Sequence, residues 1–218
     1  MTGRLIVAAS VLATVTYLSC AAVTWARFGK NARRGDGLLD VAMPEYDVRL
    51  YHEVTIRAAP DEAFDALCHA DLERSLIVQA LFRAREILLA GRHQRATLPQ
   101  GLLNQLDALG WRIVAEEPGR ELAFGAVTQP WRAKPVFYGL PPAEFARFNE
   151  PGYAKIAFTI RIDPTGSDSC VAGTETRVQT TDAESRARFR CYWAFLSPGI
   201  ELVRVILLRQ IKCQAERR

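Results

Sequence analysis

The first 27 residues carry the clearest hydrophobic pattern in the chain. From Leu5 to Ala26 no side chain is charged, and Arg27, Lys30 and Arg33 follow at once. A helix of roughly 20 mostly apolar residues crosses the hydrocarbon core of a bilayer. The pattern therefore predicts one N-terminal transmembrane helix, and because no charge lies inside it, a lone anchor rather than a transport pathway.

Three other interpretations of this segment stay open. A signal peptide would be cleaved after small residues such as Ser19-Cys20-Ala21, but the apolar part of a signal peptide usually spans only about 7–15 residues. A lipid attached at Cys20 would need a leucine-led box, and Tyr17-Leu18-Ser19 matches it poorly. A buried helix of a soluble domain would show polar positions on one face.

The pattern changes to strict alternation after the linker from Gly35 to Pro44. Between Tyr46 and Arg57 every second residue is apolar except for one histidine, which predicts a half-buried strand. Pro60, Asp61 and Glu62 then suit the first turn of a helix, because proline has no amide hydrogen there and the carboxylates complement the helix dipole.

A second helix is predicted from about Leu72 to Leu89, and two strand pairs follow it. The first pair is Trp111 to Glu116 and Glu121 to Thr128, joined by a Pro-Gly turn; the second is Gly152 to Ile162 and Cys170 to Thr180. Every predicted strand pair is joined by a short turn, so the sheet is expected to be antiparallel.

The last 38 residues read as a long aromatic helix that begins at the cap Thr181-Asp182. Pro198-Gly199 is expected to break or kink it, with helical character resuming from Ile200 to Ile211. One antiparallel sheet buries its apolar face against one long helix only by curling around it. The predicted fold is therefore α+β, a helix-grip fold with a curved antiparallel sheet wrapped around a long C-terminal helix.

The segment from about Tyr46 to the C-terminus resembles the START-like superfamily of helix-grip proteins, also called SRPBCC proteins, with polyketide cyclase/dehydrase and lipid-transport relatives. The resemblance is carried by the strand-to-helix passage Arg57 to Phe64, by the strand Thr174 to Val178, and by Tyr192-Trp193. The anchor and basic segment look like those of a membrane-tethered bacterial subgroup. The resemblance implies a cavity for an apolar or amphipathic small molecule, and no shared catalytic residue.

If the grip layout holds, the expected cavity residues come from the inward strand faces, the loop after the first hairpin and the terminal helix. They are Leu50, His52, Phe124, Trp131, Phe158, Thr176, Tyr192 and Trp193. Among them His52 interrupts an apolar face, so it is either an acid–base or ligand-orienting group or a core histidine satisfied by a neighbour.

Two further groups are candidates with ordinary alternatives. Trp111, Trp131 and Tyr138 are either an aromatic mouth of the cavity or plain packing of large side chains. Glu175 and Arg177 either anchor a polar ligand head or form the solvated face of the sheet.

Composition and charge exclude several function classes. The net charge of +4 includes no basic stripe with interleaved aromatics, so no nucleic-acid partner is expected. The three histidines show no HxH or HExxH spacing, and no phosphate-binding glycine loop occurs, so no metal, cofactor or catalytic group is predicted. Five widely spaced cysteines suit a reducing compartment.

The expected organisation is an anchor at 1–27, a basic collar and linker at 28–44, and a ligand-binding domain at 45–218. Positive charge after the span predicts that the domain stays in the cytoplasm of a bacterium, held to the inner membrane by one span. Arg204, Arg209 and Lys212 allow the last helix either to complete the grip or to touch the membrane surface.

The function expected from these features is that of a membrane-anchored binding module for a hydrophobic or lipid-like small molecule. Two alternatives remain. One is a cyclase- or hydrolase-like enzyme that uses the same cavity with His52 as its acid–base group, and the other is an interaction domain that binds no small molecule.

Overall fold

The computed structural model describes residues 2–29, 37–71, 79–80, 83 and 99–217. The helices in these ranges are α1 (Thr2–Arg27), α2 (Leu39–Ala42), α3 (Pro60–Cys68), α4 (Leu102–Ala108), α5 (Pro142–Arg147) and α6 (Ala183–Ala215). The strands are β1 (Val48–Ile56), β2 (Arg112–Glu117), β3 (Glu121–Thr128), β4 (Phe137–Tyr138), β5 (Ala154–Gly166) and β6 (Ser169–Thr180). The helix predicted from Leu72 to Leu89 falls outside the described residues except at 79–80 and 83.

The strands form one antiparallel sheet in the order β1-β6-β5-β3-β2, with β4 paired to β3. Both predicted strand pairs are confirmed, as β2–β3 and β5–β6. The first strand, β1, pairs with the last strand, β6, so β1 can join the sheet only when β6 is present. Together with the long helix α6, this topology confirms the α+β helix-grip fold.

The long helix α6 begins where the sequence predicts. Asp182 is its N-cap, and its carboxylate accepts a hydrogen bond from the Ser185 backbone N–H at 2.9 Å. The predicted break at Pro198 does not occur, and the helix is continuous over 33 residues. Proline removes one backbone hydrogen bond, but Trp193 before it and Leu207 after it are both buried, so packing on each side keeps the two halves in one helix.

The two faces of the sheet pack against different elements. Whether a strand residue has an even or an odd number determines the face on which its side chain lies. Even-numbered residues of β1, β3, β5 and β6 form the inner face, which packs against α3, α4 and α6 in two apolar clusters. Odd-numbered residues form the outer face, where Ala123 and Ala157 meet Leu39, Met43 and Phe145 from the segments around α2 and α5. Residues 39–43, from the segment expected to be a linker, are therefore part of the packed domain.

Helix α1 lies along α6 through its C-terminal half. Ala21 is buried, the Arg190 guanidinium lies 4.3 Å from the Trp25 ring centroid, and the Tyr17 hydroxyl donates to the Phe195 carbonyl. The other apolar side chains of this half are exposed. They include Val15, Leu18 and Val23.

Among the described residues, α6 is the helix found long and apolar enough to cross a membrane by length and composition. A core helix of a soluble domain has the same composition, and α6 packs on the inner face through Leu207, Leu208 and Ile211.

Candidate ligand-binding site

One row of side chains crosses the inner face of the sheet and contains four of the expected cavity residues. Leu50 on β1 pairs with Thr176 on β6, Thr176 with Phe158 on β5, and Phe158 with Phe124 on β3. The rings of Phe124 and Phe158 stack with centroids 5.2 Å apart. The alternating pattern placed these four residues on one face, and the strand register brings them side by side.

The next row holds His52, which pairs with Thr174, and beyond it Ile160 and Leu122. The Nδ1 atom of His52 is buried and has no hydrogen-bond partner among the described residues. Its neighbour Thr174 does not satisfy it, because the Thr174 hydroxyl donates to the Thr159 carbonyl at 2.7 Å. His52 is therefore an inward-facing imidazole, and the part of the chain that is described does not orient it.

The remaining expected residues, Trp131, Tyr192 and Trp193, gather at the end of the inner face next to the start of α6. All three belong to the cluster built around Val48, Val178 and Phe189. The indole Nε1 of Trp131 is buried without a hydrogen-bond partner among the described groups. Buried indole N–H groups usually find a partner, so this end of the face also carries an unused donor.

The expected aromatic mouth is not assembled as one group. Trp111 packs on Phe158 with centroids 5.0 Å apart and on Phe137 at 5.2 Å, in the opposite cluster from Trp131. Tyr138 is 52% exposed. Trp111 and Trp131 lie in different packing clusters, and Tyr138 belongs to neither.

The inner face also receives a charged residue, Arg204, for which the sequence leaves open either packing on the sheet or a position at the membrane surface. The Arg204 guanidinium carbon lies 4.3 Å from the ring centroid of Phe158, in the middle of the row described above. Burial lowers the pKa of Arg204 to about 10. The position of Arg204 agrees with the alternative in which the last helix completes the grip, whereas Arg209 is exposed.

The spacing of the buried residues along α6 could have predicted which face of the helix carries Arg204. The buried residues of α6 include Trp193, Ser197, Leu208 and Ile211. Arg204 follows Ser197 by seven residues and precedes Leu208 by four, so it lies on the same helix face. The Ser197 hydroxyl on this face is buried and, within the described ranges, unpartnered.

Glu175 and Arg177 lie on the outer face, where their side chains are largely buried and do not form a solvated surface. Arg177 is 1% exposed and donates to the carbonyls of Leu39 and Met43, both at 3.0 Å, and to Asp40 at 2.5 Å. It also donates to Glu175 at 2.6 Å. Arg177 therefore holds the α2 segment onto the sheet.

A polar cleft of about 100 Å³ lies beside this network, and its lining includes Arg49, Arg161 and Glu175. Arg49 forms two hydrogen bonds of 2.8 Å with Glu175, and Arg161 pairs with Asp163 at 2.6 Å. Since these charges neutralise each other, the cleft is part of the structural network of the outer face.

The chemistry available on the inner face is that of a binding surface. It offers aromatic and aliphatic side chains, one imidazole, one guanidinium and several buried polar atoms without partners. The described residues contain no group of three His, Cys, Asp or Glu side chains that could hold a metal ion.

No protein-family model and no curated protein matches the chain. Solved structures with similar folds include norcoclaurine synthase from Thalictrum flavum, at 12% identity and a TM-score of 0.37 over 76% of this chain and 91% of that one. A hypothetical protein from Helicobacter pylori is 9% identical, with a TM-score of 0.40 over 85% of this chain and 98% of that one. The Zhui aromatase/cyclase from Streptomyces sp. R1128 is 14% identical, with a TM-score of 0.31 over 78% and 94%. Likenesses at this level carry no argument about what this chain binds.

Proposed function

We propose that the protein is a membrane-anchored module that binds an apolar or amphipathic small molecule between the inner face of the sheet and α6. The observation that carries the proposal is a set of buried polar atoms on this side of the sheet that the described residues leave without partners: His52 Nδ1, Trp131 Nε1 and Ser197 Oγ. More than about nine in ten buried polar groups in proteins are hydrogen-bonded, so several orphans on one side favour a ligand site.

The apolar surroundings support a hydrophobic ligand. Phe124 and Phe158 stack in the centre of the inner face, and Trp193 is buried at one end of it. A pocket lined mostly by aromatic and aliphatic groups, with a few convergent polar atoms, is the usual form of a small-molecule site. This lining suits a molecule with a large apolar part.

The membrane anchor is supported by the character of α1. Val15 is 55% exposed and Leu18 53%, which is unfavourable in water but natural for a helix in lipid. The basic residues that follow the helix, from Arg27 to Arg34, favour the cytoplasmic side for the domain. Under this proposal α1 keeps the ligand-binding domain next to the lipids of a bacterial inner membrane.

Native mass spectrometry of the full chain released from lipid nanodiscs tests the proposal. The full chain is needed because Leu39 and Met43 are buried against the sheet, so truncation near residue 40 removes part of the fold. We expect the protein to carry a bound apolar molecule from the membranes in which it was made. Repeated recovery of folded protein without such a molecule, and without uptake of apolar probes, contradicts the proposal and favours an interaction domain.

A matched pair of variants makes the test specific to the inner face. Thr176→Phe places a ring in the central row, whereas Thr55→Phe places the same ring on the exposed outer side of β1. The inner substitution should abolish ligand recovery, and the outer one should leave it unchanged. Circular dichroism checks that both variants are folded.

An enzyme that uses the same space is the second candidate, and the observation that favours it is the inward imidazole of His52, whose buried Nδ1 atom has no hydrogen-bond partner among the described residues. A general base normally lies within hydrogen-bond reach of the proton that it moves. If the ligand recovered from His52→Gln differs chemically from that recovered from the unmodified protein, the enzyme is favoured. Recovery of the same molecule from both favours the binding module.

A further inference from the structure

We infer that the ligand carries an anionic head group, a carboxylate or a phosphate, which the Arg204 guanidinium binds at the centre of the inner face. This inference rests on the proposed function and narrows it to a class of ligand. It makes Arg204 the residue that determines head-group specificity.

The position of Arg204 is the first support. The guanidinium lies over the Phe158 ring at 4.3 Å, and Phe158 is flanked in its row by Thr176 and Phe124. Arg204 therefore lies at the middle of the sheet rather than at its rim. A head group bound there would have the aromatic row on one side and the Ser197 face of α6 on the other.

The distribution of carboxylates is the second support. In the strands β1, β3, β5 and β6 every acidic residue is odd-numbered and lies on the outer face, as Glu53, Glu121, Asp163 and Glu175 do. No acidic residue occupies an even-numbered, inward position of these four strands. The inner face that meets Arg204 is thus without a counter-ion from its own sheet.

Three of the other basic residues of α6 give the third support, because they have carboxylate partners, whereas Arg190 donates to the Trp25 carbonyl and Arg209 is exposed to solvent. Arg186 pairs with Asp47, Arg188 with Glu184 and Lys212 with Glu216. Arg204 has no ion pair with a described residue and is the basic residue of α6 that lies over the aromatic row.

The physical chemistry of a half-buried arginine that lies over an aromatic ring then points to an anion from outside the chain. Taking a guanidinium out of water is strongly unfavourable unless it is paired and hydrogen-bonded, and a ring face offsets only part of that penalty. A guanidinium offers five N–H donors in a planar fork that fits carboxylate and phosphate groups, often with two parallel hydrogen bonds. An amphiphile with such a head and an apolar tail matches both the arginine and its aromatic surroundings.

Calorimetric titration of the full chain in phosphatidylcholine nanodiscs with decanoate, decyl phosphate and decan-1-ol tests the inference, with empty nanodiscs as the blank. The three probes share one alkyl chain and differ in the head group. We expect an anionic probe to bind about 10- to 100-fold more tightly than the alcohol, as hydrogen bonds to charged groups imply. The anion that binds more tightly distinguishes a carboxylate from a phosphate ligand.

Arg204→Gln should remove the preference by weakening the anionic probe while leaving decan-1-ol binding unchanged. Arg209→Gln, five residues further along the same helix and exposed, should keep the full preference. A variant that merely damages the fold would weaken all three probes together, so the ratio between probes separates recognition from stability.

The unmodified protein alone can overturn the inference, whatever the variants do. Equal binding of anionic probes and decan-1-ol contradicts an anionic ligand but leaves the proposed binding function standing. Absence of binding by all three probes contradicts both.

Discussion

A buried arginine on the outer face of the sheet and a half-buried arginine over its inner face have opposite surroundings. On the outer face Arg177 donates to two backbone carbonyls and two carboxylates, and its guanidinium carbon lies 4.7 Å from the Tyr46 ring centroid. On the inner face Arg204 has an aromatic ring beneath it and no carboxylate among the described residues.

The difference separates a structural charge from a functional one. Arg177 joins α2 to the sheet, so its interactions are complete inside the chain. Arg204 is partly desolvated and has no carboxylate partner among the described residues, and titratable groups with perturbed pKa values cluster at functional sites. The outer face therefore maintains the fold, and the inner face is the candidate site.

The largest loss of stability is expected when Arg177, whose hydrogen-bond partners lie within the chain, is replaced. Arg177→Met should lower the free energy of unfolding by about 3–5 kcal/mol, because Asp40 and two carbonyls lose their donor in a buried place. Denaturant titration followed by far-ultraviolet circular dichroism measures the change. Arg120→Met is the control, since Arg120 forms exposed ion pairs with Glu117 and Asp163 that contribute only about 0–1 kcal/mol. A loss for Arg177→Met no greater than that of the control contradicts the structural role.

Asp182 at the start of α6 is a second charged group with hydrogen-bond partners within the chain. Its contribution to stability should depend on pH. Hydrogen bonds from the backbone N–H groups of Ser185 and Gly152 hold the pKa of Asp182 well below its usual range. A carboxylate with a lowered pKa in the folded state stabilises the protein above its unfolded pKa of about 3.9 and loses that contribution as the pH falls through its folded value.

Asp182→Ala should therefore lower the thermal midpoint at pH 7, and the difference from the unmodified protein should shrink as the pH is lowered below about 4. Glu150→Ala, which removes an exposed carboxylate from the preceding loop, is the control and should show no such convergence. A difference that stays constant down to the lowest pH at which both proteins fold is evidence against the charged cap.

The smallest effect on stability is expected for Arg204→Met, the same substitution as on the outer face. Arg204 is half-buried and has no ion pair with a described residue, so an apolar side chain of similar volume removes a desolvation cost rather than a pair. The free energy of unfolding should therefore stay within about 1 kcal/mol or rise. The same denaturant titration provides the measurement. A loss comparable to that of Arg177→Met would mean that Arg204 has partners inside the chain, and the comparison between the two faces would fail.

Alternation along the strands was enough to predict much of the inner face. Leu50, Phe124, Phe158 and Thr176 were placed correctly on one face because each strand alternates apolar inward and polar outward residues. His52 was singled out for the same reason, since it interrupts an apolar series.

The two arginines show what a local pattern does not contain. Arg177 reads as a solvated strand residue, because its partner Asp40 lies 137 positions away in the sequence. The charge of Arg204 allows a position at the membrane surface, whereas its spacing from Ser197 and Leu208 favours the face of α6 that packs on the sheet. In both cases charge alone is compatible with exposure, and tertiary packing decides otherwise.

The first and last helices differ in charge, since α1 has no charged side chain from Leu5 to Ala26 and α6 has several, and they also differ in packing. Both are long and apolar, but α6 packs on the sheet through Leu207 and Ile211, whereas α1 exposes Val15 and Leu18. Only the arrangement of the sheet around α6 makes the difference, and that arrangement depends on pairing between β1 and β6 at opposite ends of the domain.

The most direct test of the account is to map where an apolar probe binds. A diazirine-bearing alkyl carboxylate is activated by light on the full chain in nanodiscs, and tandem mass spectrometry identifies the labelled residues. The account predicts labels on the inner row around Phe158 and Thr176 and on α6 near Arg204, suppressed by excess decanoate. Labels confined to exposed apolar positions such as Val15, Leu18 and Leu202, and unaffected by decanoate, would contradict a ligand site between the sheet and α6.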